Sequence, residues 1–200
     1  MEYFNYGDKE ISYLKQKDKK LGEVIDILGL LKKPVTPDLF VALVESIISQ
    51  QISSKAAVTV IRRVYELLGQ ITPENISRTN HFHIQKCGMS LKKASYIKIA
   101  ADAILSRTVD FGKFPEMSDQ QVIDKLVTLP GIGVWTAEML MIFSLQRPNI
   151  LSYDDLVIRR VMIKLYGLKD ISKDEFEKYR KRYSPYCSVA SLYLWEIADN

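Results

Sequence analysis

Two segments carry the residue types that could do chemistry: Leu129-Pro-Gly-Ile-Gly-Val-Trp-Thr-Ala137 and, a helix-length further on, Ser152-Tyr-Asp-Asp-Leu-Val-Ile-Arg-Arg160. A chain that enters Leu129-Pro130 from one helix and restarts after Gly133 must reverse sharply. Gly131 and Gly133 are read as supplying the positive φ values and close backbone approach that such a reversal needs. The N–H groups near Gly131, Gly133 and Val134, with Thr136 behind them, then have no acceptor in the new helix and offer a site for phosphate oxygens. The second segment places Asp154 and Asp155 at the start of a helix whose apolar members are Leu156, Val157, Val161 and Leu165. A phosphate grip followed by a placed acid suggests chemistry on nucleic acid. Each half also has a plainer reading: Gly-x-Gly can simply turn an αα-hairpin, and an aspartate at a helix start can simply cap it.

The elements that must position these segments are helices. Apolar residues recur at helical spacing almost throughout, and no convincing alternating strand is found. Leu21, Val24, Ile25, Ile27 and Leu28 mark a helix ending at Gly29. A second starts near Pro37 and shows Phe40, Leu43, Val44, Ile47 and Ile48 on one face. Ser53 or Ser54 caps a third that stops at Gly69, and Pro73 opens a short one at its first turn. Residues 91–105 form another, closed by a loop over 106–116. Ser118 and Gln121 fit a capping box ahead of the helix that enters the Pro-Gly-Ile-Gly turn, and a further helix begins near Val134. Helices over 155–166, 172–182 (Ser172 and Glu175 as a second candidate capping box) and 188–198 complete an all-α chain of about ten short helices.

Composition narrows the setting. The 200 residues can bury a substantial core, and 47% hydrophobic with 26% charged residues is ordinary for a soluble globular protein. A net charge of +4 is compatible with a polyanionic partner without demanding one. Cys87 and Cys187 lie far apart, with no neighbours at metal spacing, which argues against a zinc site, an iron–sulfur cluster or a disulfide framework. No apolar run approaches ~18 residues and the N-terminus does not read as a signal peptide, so the expectation is a cytoplasmic protein with no membrane partner.

With its flanking Leu-Pro and Thr-Ala, the hairpin resembles the helix-hairpin-helix motif of DNA repair proteins. Further segments narrow the likeness. They are Leu43-Val-Glu-Ser-Ile-Ile-Ser-Gln-Gln-Ile-Ser-Ser-Lys-Ala-Ala57, Gly88-Met-Ser-Leu-Lys-Lys-Ala94 and Tyr183-Ser-Pro-Tyr-Cys-Ser-Val-Ala-Ser-Leu-Tyr-Leu-Trp195. As a set, over residues 10–197, they resemble the bacterial and yeast 3-methyladenine DNA glycosylases of the type II, helix-hairpin-helix kind. The resemblance implies a two-lobed fold with the active-site cleft between the lobes. One lobe would comprise residues 38–150 and end in the hairpin; the other would join residues 1–37 to 151–200.

It also implies roles. The hairpin residues Gly131, Gly133, Val134 and Thr136 would hold a DNA backbone phosphate. The carbonyls of Val127, Leu129 and Ile132 stand where that family often holds a structural monovalent cation, Na+ or K+; no other cofactor is implied. Asp155, which fits the family's register with Ile158 and Arg159-Arg160 better than Asp154 does, would be the catalytic acid. One fixed carboxylate can stabilise the positive charge that develops on the sugar as the base leaves, and can orient or deprotonate water. Asp154 is left to cap the helix or support the turn. Gln51, with Gln50 beside it, matches the residue that wedges into the gap left by a flipped nucleotide. Trp135, Met139, Leu156 and Trp195 match base-pocket positions, while Lys92, Lys93, Arg159 and Arg160 flank the DNA face as candidate phosphate contacts.

One position bears on the subclass. Members that also cut the strand carry lysine two residues after the hairpin's second glycine, whose amine attacks the sugar. Trp135 stands there, and the nearest lysine, Lys125, precedes the turn. The expectation is therefore a monofunctional enzyme on duplex DNA with alkylated purines as substrates, acting as a monomer at the nucleoid. Met139 and Leu156 replace frequent tyrosines, and Cys187 replaces a frequent arginine, which affects substrate breadth more than reaction class. The rival readings are a non-catalytic lesion-binding protein and a monofunctional glycosylase for another damaged base.

Overall fold

The computed structural model describes residues 2–199. Among these are twelve α-helices, one 3-10 helix and a two-residue antiparallel strand pair, so the helix count exceeds the expected ten or so. The chain divides into two compact units, residues 36–140 and residues 1–35 with 141–200.

In the unit of residues 36–140, α3 (Leu39–Ser49) is capped by Asp38, and α4 (Ser54–Leu68) by Ser53. Thr72 caps α5 (Pro73–Arg78), with proline in its first turn. Next come α6 (His81–Lys86) and α7 (Leu91–Leu105), which begins at the Ser90 cap. The 3-10 helix η1 (Phe111–Glu116) lies where the sequence reads as loop; Pro115 blocks regular helix there while Phe114 is fully buried. The Ser118–Gln121 capping box starts α8 (Asp119–Leu126), and α9 (Val134–Phe143) follows the hairpin turn. Helix α7 packs on α3, α5 and α6. Its Ala94, Ala100 and Ala101 are fully buried, and small side chains let neighbouring backbones come close. Six residues of α6 are too few to show a period, which is why the sequence alone misses it.

The other unit joins both ends of the chain. Strand β1 (Glu2–Tyr3) pairs with β2 (Pro34–Val35) in the register Glu2 to Val35 and Tyr3 to Pro34. Helix α1 (Asp8–Lys17) was not expected: of its residues only Leu14 is buried, and the rest of the helix is strongly polar. Helix α2 (Lys19–Leu28) buries Leu21 and Ile25, whereas Ile27 faces solvent at 82% exposure. After α10 (Leu156–Tyr166) and α11 (Lys173–Tyr183), helix α12 (Cys187–Asp199) packs against α1, α2, α10 and α11. It buries Cys187, Val189, Ala190, Leu192, Tyr193 and Leu194. Burial pushes the Cys187 thiol up to about 12, so it packs as a small apolar group rather than a nucleophile.

Segment 141–150, expected with the central lobe, belongs to this terminal unit instead. The reason lies on α12. The Ser188 hydroxyl donates to the Arg147 carbonyl and accepts the Ile150 N–H at 3.0 Å, and the Ser191 hydroxyl donates to the Ile150 carbonyl at 3.0 Å. Among the described residues no helix is long and apolar enough to cross a membrane.

A buried polar knot ties the N-terminal helices to the C-terminal ones. Asp18, 3% exposed, accepts the Leu21 N–H at 3.0 Å as the α2 cap. Its other oxygen accepts from the Tyr166 hydroxyl at 2.9 Å and the Arg182 guanidinium at 2.7 Å. Tyr183 contacts Tyr166 through its hydroxyl; burial first, then Tyr183 itself, drives the Tyr166 phenol far above the usual tyrosine range. Asp18→Ala is expected to cost about 3 kcal/mol, roughly 1 for the lost cap and the rest for stranded donors. Arg182 is partly exposed, so water recovers part of its share. Urea unfolding measures this loss, which Tyr166→Phe should reproduce only in part.

Candidate active site

The hairpin is built by two unlike glycines. After Leu126 the chain makes one more turn, in which the Leu129 N–H reaches the Leu126 carbonyl and the Ile132 N–H reaches the Leu129 carbonyl. Leu126, Leu129, Ile132 and Ala137 anchor this turn in the core. Gly131 has φ +85°, and a Cβ there would come within 2.5 Å of the Tyr96 ring. Gly133, expected to need the same freedom, does not: its φ is not left-handed, and a Cβ would meet open space. Its carbonyl accepts the Ala137 N–H, the first bond of α9, so the Val134 N–H ahead of it has no intrahelical acceptor. Val134 is 44% exposed. Thr136, grouped by sequence with the phosphate-facing residues, is instead buried, 6% exposed.

A cavity of about 440 Å³ opens beside this turn, lined by Ser46, Ser49, Gln50, Gln51, Trp135 and Thr136. The hairpin and the Gln50–Gln51 loop thus meet although some eighty positions apart. Ser46 and Ser49 are the members that sequence reasoning missed. Their signal was their i, i+3 spacing off the apolar face of α3, just ahead of the glutamines. Gln51 is exposed, with φ +58°, an uncommon conformation for a residue with a side chain. The Gln50 amide donates to the Gly131 carbonyl at 2.8 Å.

In the unit of residues 1–35 and 141–200, Asp155 is 5% exposed. It caps α10, with Oδ1 accepting the Ile158 N–H at 2.9 Å, while Oδ2 accepts the Trp195 indole N–H at 3.2 Å. The sequence left Asp154 to cap the helix or support the turn; Asp154 is exposed, and the cap is Asp155. Capping therefore positions the acid instead of competing with it. Trp195 is tilted against Phe143, ring centres 5.6 Å apart, so it steadies the carboxylate as well as offering an aromatic surface. The loop leading to Asp155 leaves the segment held to α12 by the Ser188 and Ser191 hydroxyls. The buried Ser152 hydroxyl on the same loop has no hydrogen-bond partner among the described residues.

The remaining expected residues scatter. Leu156 is 63% exposed and Met139 half-buried. Lys92 is exposed, its ammonium 5.7 Å from the Tyr96 ring centre, and Arg159 lies over Tyr153 at 4.9 Å. Arg160 is exposed. Lys93 is the clear departure, because its ammonium donates to the Ile48 carbonyl at 2.8 Å and to that of Gln50. Burial pulls this ammonium below the usual lysine range. Among the described residues no cluster of His, Cys, Asp and Glu could hold a metal ion.

This geometry has relatives. The family model described as HhH-GPD superfamily base excision DNA repair protein matches residues 44–185. DNA-3-methyladenine glycosylase 1 of Schizosaccharomyces pombe is 35% identical over 161 residues, 78% of this chain and 71% of that protein. The crystal structure of a DNA-3-methyladenine glycosidase from Bacillus halodurans superposes with a TM-score of 0.88 at 36% identity, covering 99% of this chain and 93% of the other. A 3-methyladenine DNA glycosylase of the same yeast, in complex with abasic DNA, superposes with a TM-score of 0.83 at 29% identity over 96% and 98% of the two chains.

The two hairpin glycines should separate on substitution. Gly131→Ala must displace Tyr96 and adopt a strained φ, so it should lower stability by about 2 kcal/mol and weaken DNA binding with it. Gly133→Ala should melt at the native temperature yet bind DNA more weakly, because its Cβ intrudes only where a phosphate would sit. Thermal melts paired with anisotropy titrations on duplex DNA read both quantities.

Proposed function

This chain belongs to the HhH-GPD superfamily of base excision DNA repair proteins, and we propose that it is a monofunctional glycosylase. In this reading it removes alkylated purines of the 3-methyladenine type from duplex DNA by hydrolysing the N-glycosidic bond. The observation that carries the proposal is Asp155, a buried carboxylate fixed by a helix N-terminus on one oxygen and an indole N–H on the other. A binding protein for polyanionic DNA gains nothing from such a group, whereas an oxocarbenium-like transition state does. The names of the relatives support the alkylated purine, and the relative bound to abasic DNA supports DNA as the partner.

The steps follow from the residues. The Val134 N–H at the start of α9 would grip one backbone phosphate, helped by the helix dipole. Gln51, displayed at a loop tip, fills the gap left by the everted nucleotide, and its amide can pair with whichever base is orphaned. The flat face of Trp135 suits a cationic purine. Such a base already carries the charge that helps it leave, so no strong general acid is required. Asp155 stabilises the sugar cation and directs water to it. With Trp135 in place of lysine, no amine attacks the sugar and the strand stays whole. Lys92, Arg159 and Arg160 would add phosphate contacts.

The backbone carbonyls of Val127, Leu129 and Ile132 would hold a structural Na+ or K+. The Leu129 oxygen already accepts the Ile132 N–H but keeps a second lone pair, so the donor set fits a hard, weakly bound monovalent ion. When bound, such an ion supplies positive charge toward the gripped phosphate. We read the protein as a monomer, and its place of work as the cytoplasmic nucleoid.

Asp155→Asn keeps the cap oxygen but loses the charge and the acceptor of the Trp195 N–H, and is expected to slow release of methylated purines by about 10²–10³-fold while a thermal melt still shows a folded protein. Mass spectrometry of bases freed from methylated DNA measures this, and an unchanged rate would remove the mechanism. Products should be heat-labile abasic sites in unbroken strands; a borohydride-trapped protein–DNA adduct would contradict the monofunctional reading.

A further inference from the structure

The ammonium of Lys93 sits at the end of α3, where a helix leaves its last carbonyls without donors and carries partial negative charge. It donates to the carbonyls of Ile48 and Gln50. The Gln50 side chain in turn donates to the Gly131 carbonyl in the hairpin turn at 2.8 Å. Three residues along the same face of α7, the Tyr96 ring closes over Gly131, within 2.5 Å of where a Cβ would stand. Gln51, next in line, is held in the left-handed region at φ +58°, a conformation that persists in a side-chain-bearing residue only when its flanks are fixed. On one side that flank is Gln50; on the other the chain is fixed two residues on, at Ser53, whose hydroxyl accepts the Ala56 N–H to cap α4.

We propose that Lys93 is a positioning residue, not a DNA phosphate contact: it clamps the end of α3 so that Gln50 locks to the hairpin and Gln51 stays cocked for insertion. Helix α7 then sets the wedge loop through Lys93 and the phosphate-gripping turn through Tyr96. The two DNA-engaging loops move as one piece. The inference rests on the reading of Gln51 as the wedge.

The test uses the full chain and a duplex carrying 2-aminopurine beside an abasic-site analogue, whose fluorescence rises when the helix is opened. Salt titration of binding to the same duplex is the second readout. Lys93→Met should cut the fluorescence rise severalfold, and purine release with it, while leaving the slope of log K against log salt unchanged. A phosphate contact would instead lower that slope by about 0.9, as Lys92→Met should. Lys93→Arg, which keeps the donors, should restore much of the rise. Gln50→Ala cuts the link without touching the lysine and should give the same pattern as Lys93→Met, so the proposal stays testable if the latter fails to fold. A reduced slope in Lys93→Met, or an undiminished rise in both variants, overturns the proposal. Gln51→Ala separates the two readings. If it abolishes the rise while Lys93→Met and Gln50→Ala do not, the clamp fails and the wedge stands. If it leaves the rise intact, the wedge reading itself falls.

Discussion

The contact between the Gly131 backbone and the Tyr96 ring is the constraint on which the hairpin turn and the loop beside it depend. Because no Cβ intervenes, the hairpin turn lies flat on α7, and φ +85° aims the chain back into α9. The same turn offers its carbonyl to Gln50, so the loop after α3 is registered against it. Trp135 and Thr136, at the start of α9, consequently face a cavity with Ser46 and Ser49 of α3. One missing side chain fixes the turn, the loop beside it and the space between them.

The terminal unit solves a different problem with hydroxyls. Helix α12 is buried along most of its length, and its two serines spend their hydrogen bonds on the segment that precedes Asp155. Buried polar groups of this kind are costly unless paired, so the pairing specifies one path for that segment. The acid therefore arrives on backbone already fixed from below, and Trp195 of the same helix holds its second oxygen. Under the proposed mechanism capping and catalysis make compatible demands: a helix N-terminus favours a carboxylate at Asp155, and the chemistry would need that carboxylate immobile.

Of the four basic residues expected on a DNA face, Lys93 is engaged within the fold, and two other cations are used in the same way. Lys93 and Lys98 close the ends of α3 and α5 through backbone carbonyls, and Arg182 pairs with Asp18. Lys92 and Arg160, by contrast, are exposed.

The all-α character, most helices, the caps of α4, α8 and α11, the hairpin and the family were legible in the sequence, because periodicity, capping residues and Gly-x-Gly turns act over a few neighbouring positions. Helices α1 and α6 escaped it, one too polar and the other too short to show a period. The division of labour between Gly131 and Gly133 was beyond its reach, since only Tyr96, on another helix, distinguishes them. So was the choice of Asp155 over Asp154 as cap, which depends on how the segment before it is pinned by α12. The inward turn of Lys93 follows from the α3 carbonyls it meets after folding. Local chemistry thus determined which residue types could act; tertiary packing decided which of them face a ligand, because each hydrogen-bonding group goes to whatever partner the fold brings nearest.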